Sequence, residues 1–467
     1  MILSPDTLAR LETALGVGGW SRDPDRLAPK LVEWRDRWRG QTPFLALPAT
    51  VEAVAAVVSL CAAEGLAITP QGGNTGLVGG QIPQGEILLS TERLGAVRAI
   101  DTDDDVIVLE AGVTLAAAHA AALGAGRRFP LSLASEGSAT IGGLVSTNAG
   151  GTAVLRYGTM RNLVLGLEAV LPDGRVWNGL SRLRKDNTGY DLKQLLIGAE
   201  GTLGVVTAAA LKLFPLLPSR AVAMAGVSNP RAAIELLHLA KDETGGDVEA
   251  FELICALGMA LASAHLPGAR LPLAEPAPWY VLIEVASGLA GTAEAAMERL
   301  LGMALERGLI LDAAVAQSEA QASALWALRE GQSAAQKSEG PAWKHDVAVP
   351  VSAIARFLDQ AGEALESRFP GVRIDAFGHV GDGNIHYDVL GPATGDPKAH
   401  EAGREAGSRL VHDLVASFGG SISAEHGLGI LKTEAARLYK APVEIVALEA
   451  VRRALDPGRI MNPRVLF

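Results

Sequence analysis

At 467 residues the chain is too long for one hydrophobic core, so two or three domains are expected. Its 41 Lys and Arg against 52 Asp and Glu give a net charge of -11, which argues against a nucleic-acid partner because phosphate binding needs a cationic surface. The two cysteines, Cys61 and Cys255, lie in apolar runs and read as buried thiols of a reducing compartment, not as a disulfide framework. The segment from Met1 to Trp20 carries no mark of secretion or organelle import, and no apolar run reaches membrane-span length, so a soluble cytoplasmic protein is expected.

In chain order, Thr50 to Glu64 shows helical spacing of Val51, Val54, Val57, Val58 and Cys61, and the strand-like Leu66 to Thr69 then runs into Pro70. From Glu86 to about Val206, β-rich runs such as Ile87 to Leu89, Val106 to Leu109 and Val164 to Val170 alternate with Gly-rich loops and Ala-rich helices, the pattern of an α+β domain. Composition shifts near Pro215 to Ser219, which places a boundary after residue 217. Beyond it, strands such as Tyr280 to Val285 alternate with longer amphipathic helices such as Thr292 to Arg307. A last helix, Ala441 to Arg453, leads to Asp456-Pro-Gly and a short tail through Asn462 and Pro463.

The loop Pro70-Gln-Gly-Gly-Asn-Thr-Gly-Leu-Val-Gly-Gly80 offers successive unhindered backbone N–H groups at the end of a strand, as a pyrophosphate requires, although a tight surface loop is an equally open reading of the residues alone. No G-x-G-x-x-G opens a helix after a strand, and no Gly-Lys pair occurs, which argues against a nicotinamide Rossmann domain and a Walker A loop. Two further blocks, Ser135 to Gly151 and Gly198 to Gly204, share the small-residue character. Three such loops in one domain favour a large cofactor threaded between lobes.

In the later part, Phe377-Gly-His-Val-Gly-Asp-Gly-Asn-Ile-His-Tyr-Asp388 sets His379 and His386 on either side of a turn, with His386 and Asp388 on one strand face. Glu425 and His426 could complete a two-His, one-Glu metal set; scattered polar residues are the bland alternative. Arg329 and Ser333, four apart on a helix, together with Lys344, could clamp a carboxylate or simply form a solvated face.

These segments, with Thr140 to Gly158, Arg184 to Gln194, Gly378 to His386 and Ala424 to Gly429, resemble the vanillyl-alcohol-oxidase and p-cresol-methylhydroxylase superfamily of FAD-binding oxidoreductases, in its D-2-hydroxyglutarate and D-lactate dehydrogenase branch. The resemblance covers nearly all of the chain. It implies an α+β fold with a two-lobed FAD-binding domain over 1–217, a substrate (cap) domain with an antiparallel sheet and zinc site over 218–440, and a C-terminal helical segment, 441–467, returning to the FAD.

The same resemblance implies that Pro70, Gln71, Gly72, Gly73, Asn74, Thr75, Gly76, Gly79 and Gly80 hold the FAD pyrophosphate. Glu136, Gly137, Thr140, Gly143, Asn148 and Gly151 would line the flavin side, with Glu200, Gly201 and Val206 completing the third loop and adenine side and Asn462 coming from the tail. With no His or Cys in these loops, noncovalent FAD is expected. Zn2+ would be held by His379, His386 and Glu425. His426 would be the catalytic base and touch substrate, while Arg329, Ser333 and Lys344 bind substrate carboxylates.

Asp388 stands on the substrate side where the relatives carry Asn, and an acid there repels a dianion unless it is protonated, paired with a cation or offset by zinc. The implied reaction is oxidation of a small anionic 2-hydroxy acid, foremost D-2-hydroxyglutarate to 2-oxoglutarate, by hydride transfer to flavin, with D-lactate or D-malate as the alternative substrate. An electron-transfer flavoprotein or quinone as acceptor, and a homodimer, also follow from the resemblance. A zinc hydrolase would have no need of three cofactor loops, and a non-enzymatic FAD or anion-binding module is the reading from a third class.

Overall fold

The computed structural model describes residues 3–466, so Met1 and Ile2 of the expected leader-free terminus and Phe467 of the expected tail lie outside the described residues. The chain divides into two compact units, residues 1–151 with 158–215 and 425–467, and residues 152–157 with 216–424.

In the first unit, Thr50 caps the helix Val51–Glu64 by accepting the Ala53 N–H at 3.2 Å, and Gly65 ends it in the left-handed region at φ 64°. The helix buries Val54, Val57, Val58, Leu60 and Cys61, and burial pushes the Cys61 thiol up to about 12. It follows that this thiol is inert, as its apolar setting suggested. A small sheet orders Trp20–Ser21, Leu45–Ala46, Ile87–Ser90 and Ile68–Gln71, the last three strands parallel to one another.

A second, antiparallel sheet orders Val97–Asp101, Val106–Glu110, Val205–Lys212, Val164–Val170 and Val176–Gly179. All seven residues of Val164–Val170 are buried, including Glu168. That carboxylate is tolerated because Arg98 donates to both of its oxygens at 3.0 and 3.1 Å and Thr207 adds a third bond at 2.8 Å.

The C-terminal segment completes this unit. Met461 bridges to Ile68, and the Asn462 N–H donates to the Ile68 carbonyl at 2.8 Å, so the tail runs beside the strand that leads into the first glycine loop. Buried Arg452, from the helix Pro442–Leu455, donates to the carbonyls of Val465, Met461 and Asn462 at 2.5, 2.9 and 3.2 Å.

The return to the first unit comes at 425, earlier than the 441 expected from the helix pattern. The reason is a set of bonds that no local pattern encodes: Ile430 donates its N–H to Val78 at 3.0 Å, while Leu428 and Gly429 are tied to Glu200. The expected cut after 217 falls at 215, and residues 152–157 belong to the second unit because Arg156 there pairs with Asp247 at 2.9 Å and bonds the Ala286 carbonyl.

The second unit is built on a seven-stranded antiparallel sheet. Its order is Asp312–Val315, Ser219–Val227, Trp279–Ser287, Val248–Cys255, Arg373–His379, Asn384–Leu390 and Ala342–Ala348. Helices Pro230–Thr244, Thr292–Glu306, Ile354–Arg368 and Arg404–Ser417 each bury an apolar face. Among the described residues no helix is long and apolar enough to cross a membrane.

Arg452→Met should lower the melting temperature and cost about 2–4 kcal/mol, since three buried carbonyls lose a charged donor. Thermal unfolding followed by circular dichroism measures it, and an unchanged midpoint would mean that the tail is held by its other bonds alone.

Candidate cofactor cradle and substrate face

The first glycine loop leaves the strand Ile68–Gln71 and turns sharply, with Asn74 at φ 56° and Gly79 at φ 76°. A Cβ at Gly73 would lie 1.7 Å from the Ser138 carbonyl oxygen, so that position admits only glycine, and one at Gly72 would lie 2.3 Å from Thr140 Oγ1, so the first two loops come together here. Gly151 is similarly confined by the Ser132 carbonyl at 2.1 Å.

The side chains of this loop serve the scaffold. Gln71 donates to the carbonyls of Lys30 and Gln81 at 2.9 and 3.0 Å, and Asn74 donates to those of Pro29 and Val32 at 3.2 and 3.0 Å. Among the described residues, nothing accepts from the backbone N–H groups of Gly73, Asn74, Thr75 or Gly76. Gln71 Oε1, Thr140 Oγ1 and Asn462 Oδ1 are buried without a partner. Unpaired donors on a glycine turn, ringed by orphaned polar atoms, fit a pyrophosphate-bearing cofactor.

Other expected cofactor residues are placed as supports. Glu136 accepts from Ser132 Oγ at 2.7 Å, and Asn148, in the left-handed region, accepts from Thr159 Oγ1 and the Arg161 N–H at 3.0 and 2.9 Å. Asn462 donates to the carbonyls of Gly80 and Glu200 at 3.0 and 2.8 Å, joining the first and third loops. Gly201, at φ 74°, packs against Pro70, and Val206 is buried at a bulge in its strand. Gly137 has open space around its Cβ position, and Gly143 faces only Thr140 Oγ1, at 3.6 Å.

In the second unit the sheet register gathers the other candidates. Glu252 pairs with His379, Phe377 with His386, His386 with Asp346, and Asp388 with both Asp375 and Lys344. Directly opposed residues and their neighbours two along share a face, so all of these side chains lie on one side of the sheet. The turn between the two histidines is closed by Asp382 and Gly383 donating to the His379 carbonyl at 3.2 and 3.1 Å, and the rings of His379 and His386 stand 5.8 Å apart.

Arg329, at the end of the helix Glu319–Glu330, is buried with its Nε donating to Glu252 at 2.6 Å and its guanidinium 5.0 Å over the Phe377 ring. Ser333 lies half-buried in the next short helix, Gln332–Ala335, beyond Gly331. Lys344 is paired with Asp388 at 3.1 Å and bonded to Gln336. The acid at 388 is therefore matched by a cation. Behind it, burial first and the neighbouring Asp388 charge second push the Asp375 carboxyl up to about 6, against donation from Gln336.

Ala424 donates its N–H to the Asp346 carbonyl at 3.3 Å, so the next two residues, Glu425 and His426, emerge beside that strand. One ligand atom from each of Asp346, His386, Glu425 and His426 falls within 4.8 Å of the others, a donor set able to hold a divalent metal. His379, the third expected ligand, is not in this set, which takes Asp346 and His426 instead; its Nδ1 is bonded to Glu252 and its ring stands 5.8 Å from that of His386. Sequence reasoning gave no role to Asp346, although it closes the block that begins at Trp343, and missed Asp375 and Glu252, acids on apolar strands. Their signal was their own polarity at positions where the strand pattern demands burial.

Residues 42–179 match the FAD binding domain family, and residues 216–466 match the FAD linked oxidases, C-terminal domain. The chain is 39% identical over 465 residues to the mitochondrial D-2-hydroxyglutarate dehydrogenase of Bos taurus, covering 99% of this chain and 83% of that protein. It is 37% identical over 437 residues to the D-2-hydroxyglutarate dehydrogenase of Xanthomonas citri pv. viticola, covering 93% and 91%. Its fold is similar to that of p-cresol methylhydroxylase with substrate bound, with a TM-score of 0.77 at 15% identity over 99% of this chain and 96% of the other. With both parts of its length matched and these relatives aligned over nearly all of it, the chain belongs to the FAD-linked oxidase family.

Proposed function

We propose that this protein oxidises D-2-hydroxyglutarate to 2-oxoglutarate as an FAD-dependent D-2-hydroxy-acid dehydrogenase assisted by a divalent metal, with zinc the foremost candidate. The observation that carries the reading is that glycine cradle and histidine-bearing face alike fall within the span aligned to relatives of that name. The donor set of imidazoles and carboxylates supports a metal of the zinc type.

When bound, FAD supplies the two-electron acceptor for the C2 hydride, and the metal supplies a Lewis acid for the 2-hydroxyl and its neighbouring carboxylate. The backbone N–H groups of residues 73–76 would hold the pyrophosphate, and His379, His386 and Glu425, with Asp346 alongside, would hold the metal. An imidazole nitrogen of His426 takes the hydroxyl proton as the hydride leaves C2, so the substrate loses two electrons and two protons in all, one of them within the hydride. Arg329 and Lys344 orient the carboxylates, Arg329 with its terminal nitrogens free of the Glu252 bond.

D-Lactate or D-malate is the second reading, and the Lys344 to Asp388 pair favours D-lactate within it, because a cation already matched by a buried carboxylate offers less to a distal substrate carboxylate, which D-lactate lacks. A cytoplasmic setting is proposed with it.

Anaerobic mixing of the yellow protein with D-2-hydroxyglutarate should bleach the visible flavin band, with L-2-hydroxyglutarate inert, and chelator treatment should abolish the bleaching until zinc is restored. Faster bleaching by D-lactate or D-malate would move the substrate to the second reading, and none with any of these acids would overturn the class. His426→Ala should retain flavin but slow its reduction by roughly 100-fold to 10,000-fold, the usual contribution of a general base. Near-normal reduction by that variant would remove His426 from the role.

A further inference from the structure

We infer that Glu252 is a positioning residue that fixes the tautomer of His379, leaving Nε2 as the ring nitrogen without a proton and so able to bind a metal. The inference rests on the proposed reading of His379 as a ligand. Glu252 sits directly opposite His379 in the ladder, its side chain only 1% exposed. Its Oε1 lies 2.6 Å from His379 Nδ1, and its Oε2 accepts from Arg329 Nε, also at 2.6 Å.

A carboxylate can only accept, so a neutral imidazole bonded to it carries its hydrogen on Nδ1 and leaves Nε2 bare. In a neutral imidazole left free, the proton can sit on either nitrogen, and only one of the two forms presents Nε2 to a metal. Arg329 prevents the carboxylate from rotating away, and the Phe377 ring beneath the guanidinium holds the arginine in turn. Arg329 gains a role beyond substrate contact, as the outermost member of a chain that runs from guanidinium to carboxylate to imidazole.

Glu252→Gln tests this without changing shape. The amide oxygen can still accept from Arg329, which turns the amide NH2 toward Nδ1 and forces the hydrogen of His379 onto Nε2. In full-length, metal-stripped protein labelled with 15N-histidine, and with the signal assigned by His379→Asn, wild type should show Nδ1–H and Glu252→Gln should show Nε2–H. Zinc affinity, titrated with Zn2+ alone, should fall by roughly 10-fold to 100-fold in the variant, the usual cost of losing such a partner. Flavin content should be unchanged.

An Nε2–H tautomer in the wild type overturns the inference whether or not the variant folds, and so does a variant that keeps the wild-type tautomer. A swapped tautomer with full zinc affinity supports the hold of Glu252 on the ring and overturns the ligand reading of His379 instead.

Discussion

Leu428 and Gly429 each give a backbone N–H to the carboxylate of Glu200 at 2.8 Å, and these two bonds fix where the chain rejoins the first unit. Removal from bulk water pushes the Glu200 carboxyl up, and the two N–H groups work against that push by favouring its charged form. Glu200 is itself at φ 50°, and the Asn462 amide holds its carbonyl. The third glycine loop, the Glu425 to Gly429 segment and the C-terminal tail thus share one anchor. A residue expected to touch the cofactor is bonded to the segment that carries the expected base.

The fold was legible in sequence where burial imposes a period. The apolar run Val164 to Val170 is a strand with the bounds its composition suggested, and the helix after Thr50 begins at its cap. The turn between His379 and His386 was legible because Asp-Gly-Asn can do little else. What sequence could not show is which strands are neighbours. Glu252 and His379 are 127 positions apart, and only the sheet order makes them opposite. Asp346 was hidden in the same way, two residues from a lysine that had drawn attention, on a strand whose pairing with Asn384–Leu390 carries it to His386.

Asp388 shows how a substitution that looks hostile in sequence can be settled by packing. In isolation an acid among carboxylate-binding cations invites repulsion. In the sheet it faces Lys344 on one side and Asp375 on the other, and burial first, with the Asp388 charge beside it, pushes the Asp375 carboxyl upward. Arg329 and Glu252 make a second matched pair on the same face. The members of each pair are costly to remove singly, because each would leave a partner charged and buried.

The discontinuity of the first unit bears on the order in which the protein can be made. Its sheet beside Ile68 and its first glycine loop need Met461 and Asn462, which are translated only after all of residues 216–424. A nascent chain must carry the cradle in an unfinished state while the second unit emerges and folds. The contacts of Met461 with Ile68 and of Asn462 with Gly80 can form only in the last stretch of synthesis.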